Sequence, residues 1–167
     1  MKSKVLALIL LCGAASLGAK VKLPALVGDN MILQQQTEVK LWGTAAPEAE
    51  VRVTPSWNGQ TMTCRADKDG GWTLAVETPA AGYTPYEITF DDGEKTTLKN
   101  ILIGEVWLAS GQSNMEMPLK GFAGCCIMNG ADDIIVSAEN KGVRMFTVPK
   151  HQTYELQTDC KGSWNIS

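Results

Sequence analysis

Between residues 20 and 103, short alternating segments are broken by frequent turn signals, and this rhythm limits the possible folds more than any other feature of the chain. Candidate strands fall at residues 31–34, 38–42, 50–54, 61–65, 72–75, 86–90 and 96–98. Ala46-Pro47, Asn58-Gly59, Asp69-Gly70-Gly71, Ala81-Gly82 and Asp91-Asp92-Gly93 punctuate them. Val51 and Val53, Leu74 and Val76, and Ile88 and Phe90 occupy alternate positions of their segments, the pattern of a sheet buried on one face. Short strands at this spacing predict an antiparallel β-sandwich, and roughly 80 residues suffice for a modest core.

Near Asn100 the texture changes. Residues 101–103 lead into an apolar run at 106–109, which reads as a strand buried on both faces. A loop containing Pro118 and a stretch rich in Gly, Ala and Cys (121–130) follow. Residues 132–138 fit either a strand or a helix. Residues 143–148 read as a second strand, ended by Pro149. Strand, irregular or helical segment, strand is how a parallel α/β sheet begins. The strands at 106–109 and 143–148 are therefore expected to pair in parallel in a sheet separate from the sandwich. Only about 64 residues follow position 103, whereas an open α/β domain needs well over a hundred. The second domain is expected to be cut short. The expected fold class is thus mixed, with three parts: residues 1–19, the β-sandwich at 20–103, and the start of an α/β domain at 104–167.

The chemistry concentrates where the run at 106–109 ends. Ser110 and Gly111 break the strand, and Gln112-Ser113-Asn114-Met115-Glu116 follows. The carboxyl ends of strands are where open α/β sheets place ligands. A serine on a tight strand-to-helix turn can present its hydroxyl to a carbonyl and offer its own N–H to an oxyanion. The plain structural alternative is a turn or N-cap serine. Glu116, three residues after Ser113, also fits a capping box. Asn114 could cap the helix or line a site.

The run VWLASGQSNMEMPL closely resembles the first block of the sialate O-acetylesterase family, a branch of the SGNH (GDSL-like) carbohydrate esterases. Upstream, DNMILQQ (29–35), VKLWGTAAPEAEVRV (39–53) and DGGWTLAV (69–76) resemble further family segments in the family's order. The resemblance covers most of the chain after residue 20 and only the amino-terminal part of the family. It implies a three-layer α/β (SGNH-hydrolase-like) catalytic domain behind an N-terminal β-domain. It makes Ser113 the nucleophile, with Gln112, Asn114 and Glu116 beside the substrate. Gln112 stands where many GDSL-type relatives have aspartate. The implied reaction removes an O-acetyl group from sialic acid or a related glycan through an acyl-serine intermediate, with no cofactor. The family's base histidine, in an Asp-x-x-His block, and its remaining oxyanion donors are expected beyond residue 167. A serine without its base retains little activity, so residues 1–167 alone are expected to be inactive.

His151 is the sole histidine. It reads either as a base or as a solvated loop residue, and the family order favours the loop. Trp42 and Trp72 read as core residues, and Trp57, beside Asn58-Gly59, as the better sugar-stacking candidate. Asp67-Lys68-Asp69-Gly70 starts like a calcium loop, but Trp72 and Thr78 occupy positions where such a loop needs glycine and glutamate. A β-turn is expected there, and no metal site. Asn165-Ile166-Ser167 is a formal glycosylation acceptor.

Residues 1–19 read as a secretory signal peptide: Lys2 and Lys4, an apolar stretch at 5–11 too short to span a membrane, then small residues up to Ala19. A secreted or periplasmic location follows. Cys12 raises a lipoprotein anchor, for which Leu11 is a poor preceding residue. Loss of the leader leaves 13 basic against 18 acidic side chains, a net charge of −5 instead of −3. With no basic stripe, nucleic acid is not an expected partner. Cys64, Cys125, Cys126 and Cys160 remain, with three possible disulfide connectivities. The rival reading from another class is a non-catalytic carbohydrate-binding or accessory β-domain.

Overall fold

A computed structural model describes residues 20–167; the expected signal peptide lies outside the described residues. Seven strands come first: β1 (Ile32–Gln34), β2 (Glu38–Thr44), β3 (Glu50–Pro55), β4 (Met62–Arg65), β5 (Gly71–Glu77), β6 (Gly82–Asp91) and β7 (Lys95–Gly104). They are followed by a one-turn helix α1 (Ser113–Glu116), helix α2 (Gly130–Ala138) and strands β8 (Arg144–Phe146) and β9 (Trp164–Ile166). The described chain is mostly β.

The first seven strands form a five-stranded sheet in the order β1-β7-β6-β3-β4 and a two-stranded sheet of β2 and β5. Both sheets feed one core. Val51 and Val53 of β3, Ile88 and Phe90 of β6 and Val76 of β5 are fully buried, with Leu41 and Trp72 beside them. The alternation visible in the sequence is therefore what buries these side chains, at roughly 1.5–3 kcal/mol each for a large aliphatic or aromatic group. Asp67 closes the turn before β5: its Oδ1 accepts the N–H groups of Asp69 and Gly71, both at 2.8 Å.

One pairing departs from the antiparallel expectation. β1 runs parallel to β7, with Ile32, Leu33 and Gln34 opposite Leu102, Ile103 and Gly104. Tight turns impose antiparallel pairing only on neighbours in sequence, and these two strands lie at opposite ends of the β-region. The β6–β7 ladder changes register between the Tyr86–Ile101 and Ile88–Leu98 pairs. Asn100, left-handed at φ 57°, lies within that step, as expected for a bulge that admits one extra residue.

Beyond β7 the structure corrects the expectation. Residues 106–109 form no strand and are exposed, with Trp107 at 85% and Leu108 at 94% of full exposure. β8 covers the middle of the expected strand at 143–148, but it pairs antiparallel with β9, not in parallel with residues 106–109. A strand buried on both faces needs neighbours on either side and layers above and below, and the described residues supply none to 106–109. Residues 132–138, open between strand and helix, lie in α2, whose first turn carries Asp132 and Asp133 where the helix dipole favours acidic groups.

Candidate functional site

The segment leading to Ser113 is gripped as it leaves β7. Gln35 donates its backbone N–H to the Gly104 carbonyl at 2.9 Å, extending the β1–β7 ladder by one bond. Side chains then continue where the backbone stops. Gln34 donates Nε2 to Glu105 Oε2 at 3.0 Å and accepts the Val106 N–H on Oε1 at 2.9 Å. Gln35 donates Nε2 to Glu105 Oε1 at 2.6 Å and accepts the Ala81 N–H at 2.8 Å. Both Glu105 oxygens are thus occupied by amide donors, Gln34's first in weight. They hold its carboxyl below the usual glutamate range because they stabilise the charged form.

Residues 105–116 are exposed. Gly111 permits a close approach, since a Cβ there would stand 2.6 Å from Met115 Cγ. Gln112 is the N-cap of α1 and Ser113 its first residue. The turn is closed by a hydrogen bond from the Met115 N–H to the Gln112 carbonyl at 2.9 Å. No side chain caps the helix, so the Ser113–Glu116 capping box does not form. Glu116 instead pairs with Lys150 at 2.6 Å, tying α1 to the segment after β8. His151 follows Lys150 and is exposed. Ser113, Gln112, Asn114 and Glu116 are therefore brought together on one helical turn, and no described residue stands as a base on the serine.

Two further ties join the carboxy-terminal segment to the β-region. Arg144 donates Nη2 to Asn100 Oδ1 at 3.2 Å, and Asn100 donates Nδ2 to Asn30 Oδ1 at 2.7 Å. Partial burial lowers the pKa of the Arg144 guanidinium. Trp164 donates Nε1 to the Leu26 carbonyl at 2.9 Å. Trp57, expected to be free for sugar stacking, packs against the core, edge-on to Tyr86, and donates Nε1 to the Glu77 carbonyl. A groove of about 630 Å³ lies elsewhere, on the β2–β5 sheet, with Trp42, Arg65, Asp67 and Thr73 among its walls. Among the described residues no cluster of His, Cys, Asp and Glu could hold a metal ion, and no helix is long and apolar enough to cross a membrane. The four described cysteines are free thiols.

Sequence reasoning assigned no role to Glu105, Gln34, Gln35 or Lys150. The paired glutamines of DNMILQQ were the available signal: Gln34 ends β1 and Gln35 follows it, so two polar amides stand where the strand stops.

No protein-family model matches the chain. The sialate O-acetylesterase of Rattus norvegicus is 27% identical over 175 residues, covering 96% of this chain and 31% of that protein. The sialate O-acetylesterase of Homo sapiens is 29% identical over 161 residues, covering 89% and 29%. The chain is related to the sialate O-acetylesterases. The crystal structure of a carbohydrate acetylesterase from Xanthomonas citri agrees, with a TM-score of 0.78 and 31% identity over 87% of this chain and 32% of that one. The chain spans about a third of the length of these relatives.

Proposed function

We propose that this chain is the amino-terminal part of an exported carbohydrate esterase that removes O-acetyl groups from sialic acid or related glycans, with Ser113 as nucleophile. One observation carries the reading: the GQSN serine stands exposed at the first position of a one-turn helix, in a chain related to sialate O-acetylesterases. In the proposed reaction, Ser113 Oγ attacks the acetyl carbonyl carbon while a base takes its proton. The tetrahedral intermediate collapses, and the sugar oxygen leaves with that proton. Water then attacks the acyl-serine and releases acetate. The Ser113 backbone N–H is one oxyanion donor in this scheme. The base comes from an Asp-x-x-His block outside residues 1–167, and His151 keeps a solvated-loop role.

The test is Ser113→Ala in the protein bearing its complete catalytic domain, assayed on an acetylated sugar with circular dichroism as the folding control. The hydroxyl forms the covalent bond, so kcat should fall by more than the roughly 10²–10³ lost with one oxyanion donor. Retention of more than about a tenth of the rate, a barrier change under roughly 1.4 kcal/mol, would remove Ser113 from the role. His151→Ala should cost little by comparison.

The groove beside Trp42 favours a second reading, a β-domain that holds glycan without cleaving it. Trp42 combines an apolar face with a polar edge, as sugar platforms do. Titrating acetylated oligosaccharides against the chain and its Trp42→Ala variant decides this: saturable binding that the variant abolishes supports it, and no binding ends it.

A further inference from the structure

We propose that Glu105 is a positioning residue for the serine segment, clasped by Gln34 and Gln35 so that the β-domain sets the path on which Ser113 is presented. This deepens the esterase reading and rests on it. Three ladder pairs join β1 to β7 and end at Gln34 and Gly104. Past that point a chain leaving a sheet is free to turn. Here it is not, because the Gln34 side-chain amide acts as a peptide group would in a further strand residue: it donates to Glu105 and accepts from Val106. Gln35 takes the second carboxylate oxygen, and its own carbonyl is fixed by the Ala81 N–H. Each of these partners has another partner, so the direction of residues 104–106 is determined by the β-domain on one side. On the other side of the serine, Glu116 is held by Lys150.

The chemistry of the clasp makes a specific demand. A carboxylate presents two acceptors, and the two glutamines present two donors. Glu105→Gln alone turns an NH₂ group toward one of those donors. Adding Gln35→Glu reverses the polarity of the pair. The new amide at position 105 would then donate to the new carboxylate at position 35. Gln34 would still donate to the side-chain oxygen at position 105, and the carboxylate at position 35 would still accept the Ala81 N–H. The double variant therefore rebuilds the same number of hydrogen bonds with the charge moved from position 105 to position 35, which a purely local effect of the Glu105 charge could not reproduce.

The experiment has two arms on the same set: wild type, Glu105→Ala, Glu105→Gln, and Glu105→Gln with Gln35→Glu. In the chain itself, amide exchange at Val106, whose N–H is held by Gln34, should accelerate in both single variants and return to the wild-type rate in the double variant. In the protein bearing its complete catalytic domain, kcat should fall about tenfold to a hundredfold in the single variants, as small misplacements of reacting groups do. KM should stay within about twofold, and the double variant should recover. Unchanged exchange in Glu105→Ala overturns the clasp. Altered exchange with unchanged kcat, in an enzyme that Ser113→Ala inactivates, overturns the positioning role. If Ser113→Ala stays active, the esterase assignment of the serine fails and the positioning role falls with it, while the exchange arm still decides whether the clasp holds the segment.

Discussion

Trp72 and Phe90 meet across the core with ring centroids 5.9 Å apart, tilted by 47°. One ring comes from the two-stranded sheet and the other from the five-stranded sheet, so this contact joins the two. Phe90 is fully buried and Trp72 nearly so. Phe90→Ala should destabilise the chain by about 3–5 kcal/mol, read as a lower urea midpoint at unchanged slope. A loss below about 1 kcal/mol would mean that the sheets are held together elsewhere.

Gly43 lies opposite Trp72 in the β2–β5 ladder. A Cβ at this position would press into the Lys22 carbonyl oxygen and lie 2.9 Å from Trp72 Cζ2. That carbonyl accepts the Thr44 N–H, so relief would require the Lys22–Thr44 bridge to open. Gly43→Ala should therefore cost about 1–3 kcal/mol as an overpacking change, despite alanine's better propensity. Thermal unfolding of the single variant measures it, and an unchanged or raised Tm would refute the steric argument.

The Glu105 clasp carries a pH signature of definite sign. Its amide partners lower the carboxyl pKa in the folded chain. Between that value and the ordinary glutamate value of about 4.3, the unfolded chain binds more protons, so stability rises with pH there. The contribution is complete above the ordinary range and is lost as pH falls through the lower folded value. Side-chain amide resonances of Gln34 and Gln35 should titrate together with a midpoint below the usual carboxylate range. A midpoint at or above it would mean the carboxylate is unclasped.

Thiol chemistry should separate the cysteines. Cys125 and Cys126 are exposed, whereas Cys64 is half-buried with its thiol pKa raised by burial. The thiolate is the reactive form, so Ellman's reagent should modify Cys125 and Cys126 first and Cys64 last. Absence of any fast-reacting thiol under native conditions would point to disulfide bonding.

The β-region was legible because alternation in a strand directly encodes which side chains enter the core. Val51, Val53, Ile88 and Phe90 were readable one by one, and all four are buried. The β1–β7 pairing was not, because two strands from opposite ends of a domain share no local signal for their mutual direction. The run at 106–109 misled for a related reason: apolar sequence states a demand for burial without saying which residues meet it. Trp57 misled because a neighbouring Asn-Gly turn says nothing of the Glu77 carbonyl that accepts its N–H. For the candidate site, the helix that begins at Ser113 was readable and the strand expected before it was not there, whereas the clasp on Glu105 joins groups about seventy positions apart.

The parallel joint between β1 and β7 also imposes an order in time. Ile32 cannot meet Leu102 until the whole intervening chain has been made, and contacts of such long sequence separation are the slow ones in folding. On a ribosome, β1 would wait without its neighbour while β2 to β6 emerged, its Leu33 lacking the cover it has in the finished core. Within the β-region, the seam that closes last is thus the one from which the serine segment departs. Nascent chains halted before residue 102 should be the ones most open to proteases and chaperones, and release of the next few residues should end that vulnerability.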